Sequence, residues 1–127
     1  MVEGPASVQT LVADDFPIMQ QALTECLQTI PGVNVVATAQ NGAEALEKAR
    51  EHALGLAIVD LQMPVMDGFK LLRELRRVYP SIHLIAISGH QSAALAAEAV
   101  FAGANSFVSK NEFPDGLITA VKKLLGR

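Results

Sequence analysis

Residues 57–68 read AIVDLQMPVMDG, and the chemistry changes abruptly within this stretch. The run LGLAIV at residues 54–59 is apolar without alternation, as is typical of a β-strand that is covered on both faces. It ends in Asp60, and the Met63-Pro64 and Asp67-Gly68 pairs that follow are typical of a loop. The stretch therefore predicts a buried strand that delivers a carboxylate to its own carboxyl end.

The rest of the chain alternates between strand patterns and helix patterns. After each short β-rich run, apolar residues recur at helical spacing, first in the helix that Pro17 opens. The predicted strands are residues 8–13, 33–37, 54–59, 82–87 and 106–109, and the predicted helices begin near residues 17, 43, 69, 92 and 114. Strict alternation with short connections predicts an α/β fold, a parallel sheet doubly wound with helices on both faces. Ligands of such sheets bind outside the carboxyl ends of the strands.

The composition predicts one folded domain in a reducing compartment. The chain has 127 residues, of which 50% are hydrophobic and 18% charged, values that exclude disorder. The net charge of −3 gives no electrostatic reason to expect direct contact with a nucleic acid. The single cysteine, Cys26, lies on an apolar helical stripe, which favours a buried, inert thiol.

The N-terminal stretch MVEGPASVQT has no apolar core of signal-peptide length. No uninterrupted apolar run approaches the roughly 18 residues that span a bilayer. We therefore expect a cytoplasmic protein that does not contact a membrane.

Charged and polar side chains stand at the carboxyl ends of four predicted strands. They are Asp14 and Asp15 for the first strand, Asp60 for the third, Ser88 for the fourth and Lys110 for the fifth. Singly, the aspartates and the serine are commonly turn residues or helix caps, and a lysine at the end of a strand is commonly only solvated. Together they predict a site, because three neighbouring carboxylates repel unless a cation neutralises them, and all-oxygen ligation suits Mg²⁺. Beside Mg²⁺, Asp60 could attack phosphorus, while Ser88 and Lys110 could bind phosphoryl oxygens.

Four blocks of sequence resemble the receiver domain of bacterial response regulators, in the right order and over nearly the whole chain. They are VADDFP at residues 12–17, VDLQMPVMDG at 59–68, ISG at 87–89 and FVSK at 107–110. The resemblance implies a flavodoxin-like (βα)5 fold with sheet order 2-1-3-4-5. It also implies a single receiver domain, residues 1–127, with its core at about residues 8–126.

The resemblance further implies roles for individual residues. Asp60 would accept a phosphoryl group from a sensor histidine kinase, with Lys110 and Ser88 assisting. Mg²⁺ would be held by Asp14 (largely through water), Asp15, Asp60 and the backbone carbonyl of Gln62. Ser88 and Phe107 would form the pair that moves on activation. Such a domain is not an enzyme, since it catalyses only its own phosphorylation and dephosphorylation.

The chain departs from many receivers at Asn111, which follows Lys110 where a proline is common, so we expect a trans peptide there. Receivers of the NarL/FixJ subgroup, which usually carry a LuxR-type DNA-binding domain, often lack that proline. ADDFP, PGVNVVATAQNGAEAL and LITAVKKLLG also resemble this subgroup. We therefore expect control of transcription through a DNA-binding domain that this sequence does not contain. The alternatives are a stand-alone receiver, acting by protein–protein interaction or phosphorelay, and a pseudo-receiver interaction module.

Other classes fit less well. A haloacid-dehalogenase-type phosphatase requires a second aspartate where Gln62 stands, and a flavodoxin-like electron carrier requires a phosphate loop where DDFP stands.

The subgroup resemblance suggests a homodimer on phosphorylation, with Gln20, Thr24 and Lys122 as candidate contacts. We interpret Arg73, Arg76 and Arg77 as basic residues on a solvated face of a helix, which gives no argument for DNA binding.

Overall fold

The computed structural model describes residues 7–127, in which five strands alternate with five α-helices. The strands are β1 (Val8–Ala13), β2 (Val33–Ala39), β3 (Leu56–Asp60), β4 (His83–Ser88) and β5 (Ser106–Ser109). The helices are α1 (Pro17–Gln28), α2 (Gly42–Ala49), α3 (Gly68–Val78), α4 (Ala93–Ala102) and α5 (Asp115–Leu125). Residues 1–6 of the expected domain, and with them most of the stretch examined for a signal peptide, lie outside the described residues. Within residues 7–127, every helix is too short or too polar to cross a membrane.

The five strands form one parallel sheet in the order β2-β1-β3-β4-β5, as predicted. Sequence order reverses beside β1, which creates a crevice at the carboxyl ends of β1 and β3. The register aligns these ends, since Ala13 pairs with Val59, Asp60 with Ile87, and Ser88 with Ser109. The sheet therefore brings the residues at the end of each strand to one edge.

Local signals in the sequence set where the helices begin. The side chains of Asn41, Asp67 and Ser92 accept hydrogen bonds from backbone N–H groups in the first turns of α2, α3 and α4. Pro17 occupies the first turn of α1, where its missing N–H costs nothing. Each of these helices thus starts directly after the loop that leaves the sheet edge.

Two apolar layers hold the helices on the sheet. One layer lies between the sheet and α2, α3 and α4, and the other lies between the sheet and α1 and α5. All five residues of β3 are buried, as its continuous apolar pattern predicts. Cys26 lies buried in the second layer, where burial and then the charge of Asp115 raise the pKa of its thiol. The expectation of a buried thiol is confirmed.

The strand bounds differ slightly from those predicted. Pairing with β4 extends β3 by one residue, so that Asp60 is the last residue of the strand. Ser88 likewise is the last residue of β4. Lys110 starts a short 3₁₀ turn, Lys110–Glu112, which Ser109 caps. Among residues 7–127 the cis peptide is the one before Pro114, so the Lys110–Asn111 peptide is trans, as expected.

The interpretation of Arg76 as part of a solvated helix face is wrong. Its guanidinium donates to the carbonyls of Gly103, Pro80 and Ile82 and to the side chain of Asn105, at 2.7–3.2 Å. These groups lie at the end of α4 and around the start of β4. Arg76 therefore ties α3 to the far end of α4, a role that depends on contacts across the fold and leaves no signal in local sequence.

Candidate functional site

Three carboxylates meet at the crevice between β1 and β3. Asp14, Asp15 and Asp60 each place one carboxylate oxygen within 4.8 Å of the others. Asp14 and Asp60 are buried, with relative exposures of 0% and 3%, whereas Asp15 is exposed. The site therefore combines two desolvated charges with one that faces solvent.

Lys110 brings the one ammonium group of the cluster. Its Nζ lies 3.0 Å from Asp14 Oδ2 and donates to Asp60 Oδ2 at 3.3 Å. Burial alone would lower the pKa of Lys110, but the two carboxylates outweigh it and raise this pKa above its ordinary value. Lys110 is therefore a fixed positive charge between the ends of β1 and β3.

Asp60 is held at both carboxylate oxygens. Oδ1 accepts a hydrogen bond from the Gln62 N–H at 3.0 Å, and Oδ2 accepts one from Lys110. Burial, and to a smaller extent the neighbouring charge of Asp14, raises the pKa of Asp60 despite these two donors. The result is a fixed carboxylate that is more basic than one in water.

Asp14 has one oxygen without a directed donor. Its Oδ1 accepts a hydrogen bond from the Phe16 N–H at 2.9 Å. Its Oδ2 is buried and lies in ion-pair range of Lys110, yet it receives no hydrogen bond of acceptable geometry. We regard the contact with Lys110 as electrostatic attraction, because distance alone does not make a hydrogen bond. A buried carboxylate oxygen in this state is suited to binding a cation.

Ser88, Gln62 and Phe107 lie around this cluster in different ways. Ser88 is fully buried at the same edge, and its Oγ accepts a hydrogen bond from the His90 N–H at 3.0 Å. Gln62 is exposed, and its N–H donates to the Asp60 carboxylate. Phe107 is half-buried against the layer under α2–α4, and it lines a groove of about 530 Å³ between β5 and α5. The predicted site residues therefore converge, except that Phe107 lies away from the carboxylates, on the β5–α5 side.

Gln20 has a structural role that the sequence does not indicate. Its side-chain amide donates to the carbonyls of Asp14 at 3.1 Å and Ala39 at 2.9 Å. Thr24 in turn donates to the Gln20 carbonyl within α1. Two of the three candidate dimer contacts are thus bound within their own chain, and Gln20 fixes the end of β1 next to the carboxylates. Only the sheet pairing, which brings Asp14 and Ala39 together, could have revealed this.

Comparisons with known proteins agree on the family. The sequence profile described as "Response regulator receiver domain" matches residues 10–122. The chemotaxis protein CheY of Bacillus subtilis is 34% identical over 91% of this chain and 95% of its own length. The signal receiver domain of NarL from Mycobacterium tuberculosis superimposes with a TM-score of 0.87 at 30% identity, over 96% of this chain and 98% of that domain. This chain belongs to the response regulator receiver domain family.

Membership fixes the class of function and confirms the flavodoxin-like fold. Receiver domains are signalling domains of two-component systems, and they bind Mg²⁺ at an acidic pocket; this chain carries a cluster of three carboxylates. NarL-type regulators are among the relatives, as the subgroup resemblance predicted. The chain spans about half the length of the transcriptional regulatory protein LnrK of Bacillus subtilis, 52%, at 32% identity over 90% of this chain.

Proposed function

We propose that Asp60 accepts a phosphoryl group from the phosphohistidine of a sensor histidine kinase, in a Mg²⁺-dependent reaction. The observation that carries this proposal is the state of Asp60, a buried carboxylate held by Gln62 and Lys110 beside two further carboxylates. The same arrangement would have no purpose in a turn or a helix cap, where a single exposed carboxylate suffices.

The donor set fits Mg²⁺. Three carboxylates face one ammonium, and the buried Asp14 Oδ2 lacks a hydrogen-bond donor. Oxygen ligands of this kind suit a hard cation that keeps part of its water shell. The residues that would hold the ion are Asp14, Asp15, Asp60 and, through its backbone carbonyl, Gln62. When bound, the ion would screen the negative charge between Asp60 and the phosphoryl oxygens.

The residues of the chain orient and neutralise the reacting groups. An Asp60 oxygen forms a bond to phosphorus while the N–P bond of phosphohistidine breaks, and the imidazole leaves with that electron pair. The Gln62 N–H and Lys110 fix the carboxylate before transfer, so that the nucleophilic oxygen does not have to be oriented during the reaction. Lys110, which already bridges two carboxylates, is placed to neutralise an added phosphoryl oxygen.

Mass spectrometry of the intact protein after incubation with a phosphodonor and Mg²⁺ tests this proposal. Phosphoramidate serves as donor, because it carries the same N–P bond as phosphohistidine. Wild type should gain one phosphoryl group, and EDTA should prevent the gain. Asp60→Asn should gain none, whereas Asp67→Asn should behave as wild type, because Asp67 is exposed and asparagine also caps helices. A phosphoryl group on Asp60→Asn at the wild-type level would refute the assignment.

We propose further that residues 8–126 form one receiver unit whose phosphorylation controls transcription through a DNA-binding domain of the same protein. This chain matches only 52% of the length of LnrK, a transcriptional regulatory protein, and this partial match supports an output through transcription. A stand-alone receiver is the second candidate, and the 95% coverage of CheY favours it. Sequencing the transcript of the intact gene beyond the codon for Arg127 separates the two outputs.

A further inference from the structure

The loop between β3 and α3 contains a strained turn. Val65 has a φ of 68°, and the Met66 N–H donates to the Pro64 carbonyl at 2.8 Å. A hydrogen bond across a single residue with positive φ is the rare, strained form of the γ-turn, and a β-branched residue is unfavourable at its centre. Val65 is 83% exposed, so its own side chain does not hold the turn. Neighbouring residues must therefore stabilise this conformation.

Met66 is held against the start of α2. The N–H of Gly42, the first residue of α2, donates to the Met66 carbonyl at 3.2 Å. A Cβ atom on Gly42 would lie 2.6 Å from the Met66 carbonyl oxygen and 2.7 Å from the Met66 Cβ. The approach therefore requires a residue without a side chain. The Met66 side chain is half-buried and packs against the layer under α2–α4.

The end of the loop returns to Asp60. The Gly68 N–H donates to the Leu61 carbonyl at 3.2 Å, and a Cβ atom on Gly68 would lie 2.2 Å from the Asp60 carbonyl oxygen. Near its start, the loop supplies the Gln62 N–H that binds Asp60 Oδ1 at 3.0 Å. The loop is thus fixed at Met66 and Gly68, and its first residues orient the Asp60 carboxylate.

We propose that Gly42 is a positioning residue for the carboxylate site. By admitting Met66 against the start of α2, Gly42 maintains the strained turn at Val65. This strained turn keeps the Gln62 backbone and the Asp60 carboxylate in the geometry that binds Mg²⁺. Gly42 acts through Met66 and the loop rather than by binding the ion. This inference rests on the proposed function, because it takes the carboxylate cluster to be a Mg²⁺ site.

Substituting Gly42 and measuring Mg²⁺ affinity by isothermal titration calorimetry tests the inference. Gly42→Ala displaces Met66 and is expected to weaken Mg²⁺ binding by about tenfold or more, the usual effect of losing a residue that orients a ligand. Ala49→Gly is the matched control, since it weakens the opposite end of α2 without touching the loop. It should lower the melting temperature in EDTA and leave Mg²⁺ affinity unchanged.

A rescue separates positioning from simple destabilisation. Val65→Gly relieves the strain, because glycine adopts positive φ readily. In the Gly42→Ala background it should restore part of the lost Mg²⁺ affinity, since a relaxed turn depends less on Met66. If destabilisation were the whole effect, Ala49→Gly would lose Mg²⁺ affinity to the same extent as Gly42→Ala at an equal loss of melting temperature. If Gly42→Ala does not fold, the double variant must bind Mg²⁺ more weakly than Val65→Gly alone.

The outcomes separate this inference from the proposed function. Wild-type Mg²⁺ affinity in Gly42→Ala, beside a wild type that binds Mg²⁺ and takes up a phosphoryl group, would overturn the role of Gly42 alone. A wild type that does neither would overturn the proposed function, and the role of Gly42 with it.

Discussion

Lys110 and Asp60 lie fifty residues apart in the chain, and the Lys110 ammonium donates to the Asp60 carboxylate at 3.3 Å. The same ammonium lies 3.0 Å from Asp14 Oδ2. Lys110, which directly follows β5, therefore contacts carboxylates at the ends of both β1 and β3. The three charges are therefore coupled, and removing any one of them changes the balance between the other two.

Lys110→Met should destabilise the fold in EDTA by about 1–3 kcal/mol, because two buried carboxylates lose their cation while water still reaches the site. Mg²⁺ should restore most of this loss, since the ion supplies the missing positive charge. Urea denaturation with and without Mg²⁺ measures both effects. Lys123→Met removes an exposed ammonium and serves as control. A loss that is the same with and without Mg²⁺ would contradict the coupling.

Asp60→Asn should raise the stability of the metal-free protein at neutral pH. The pKa of Asp60 is raised in the folded state, first by burial and then by Asp14. A raised carboxyl pKa stabilises the fold below the unfolded value, and this contribution is lost as the pH rises through the folded pKa. The advantage of Asp60→Asn should therefore grow from acid toward neutral pH.

Urea denaturation in EDTA across the range from about pH 3.5 to 7 measures this advantage, with the unfolded carboxyl titrating near 4. Asp67→Asn is the control, because Asp67 is exposed and its replacement preserves the helix cap. An advantage that is constant over this range would show that ionisation of Asp60 has no part in it.

Arg76→Ala should destabilise the protein by about 2–4 kcal/mol, because several carbonyls at the end of α4 and around the start of β4 lose charged donors. Arg76→Lys should recover little, since an ammonium cannot reproduce the fork of the guanidinium. Arg77 is exposed, and within the described residues its side chain pairs only with Glu74, so Arg77→Ala should cost much less than Arg76→Ala. Thermal or chemical denaturation distinguishes the two arginines, and equal losses would contradict the tie between α3 and α4.

The positions of the carboxylates follow from the sequence because a parallel sheet carries the end of each strand to one edge. Asp14, Asp15, Asp60 and Lys110 each follow or end an apolar run, and this is sufficient to place them together. The donor geometry does not follow in the same way. Whether Lys110 reaches one carboxylate or two, and which oxygen of Asp14 lacks a donor, depends on side-chain distances of a few tenths of an ångström.

The roles of Gln20 and Arg76 could not be predicted for a different reason. The Gln20 amide donates to a backbone carbonyl of β2, and the Arg76 guanidinium donates to a backbone carbonyl at the end of α4. Both partners are distant in sequence from the donor. Periodicity describes one helix at a time and assigns both residues to a surface. The strained turn at Val65 is also hidden, because valine is among the residues that sequence rules exclude from positive φ.

Ser88 and Phe107 are expected to couple phosphorylation to the groove between β5 and α5. In the present structure the Ser88 Oγ is bound to the His90 N–H, and Phe107 is half-buried beside the groove. A phosphoryl group on Asp60 adds acceptor oxygens at the same edge, and Ser88 should turn toward them. Phe107 can then move further inward, and complete burial of such a side chain is worth about 1.5–3 kcal/mol, enough to shift a two-state population about tenfold.

Beryllofluoride with Mg²⁺ mimics the aspartyl phosphate, so NMR shifts on its addition should extend to Phe107 and to Thr119 and Lys123 across the groove. Ser88→Ala should bind beryllofluoride and lose the distant shifts, whereas Ser106→Ala, at the start of β5, should retain them. Shifts confined to the carboxylate site in wild type, or an unaltered response in Ser88→Ala, would show that the two residues are not coupled.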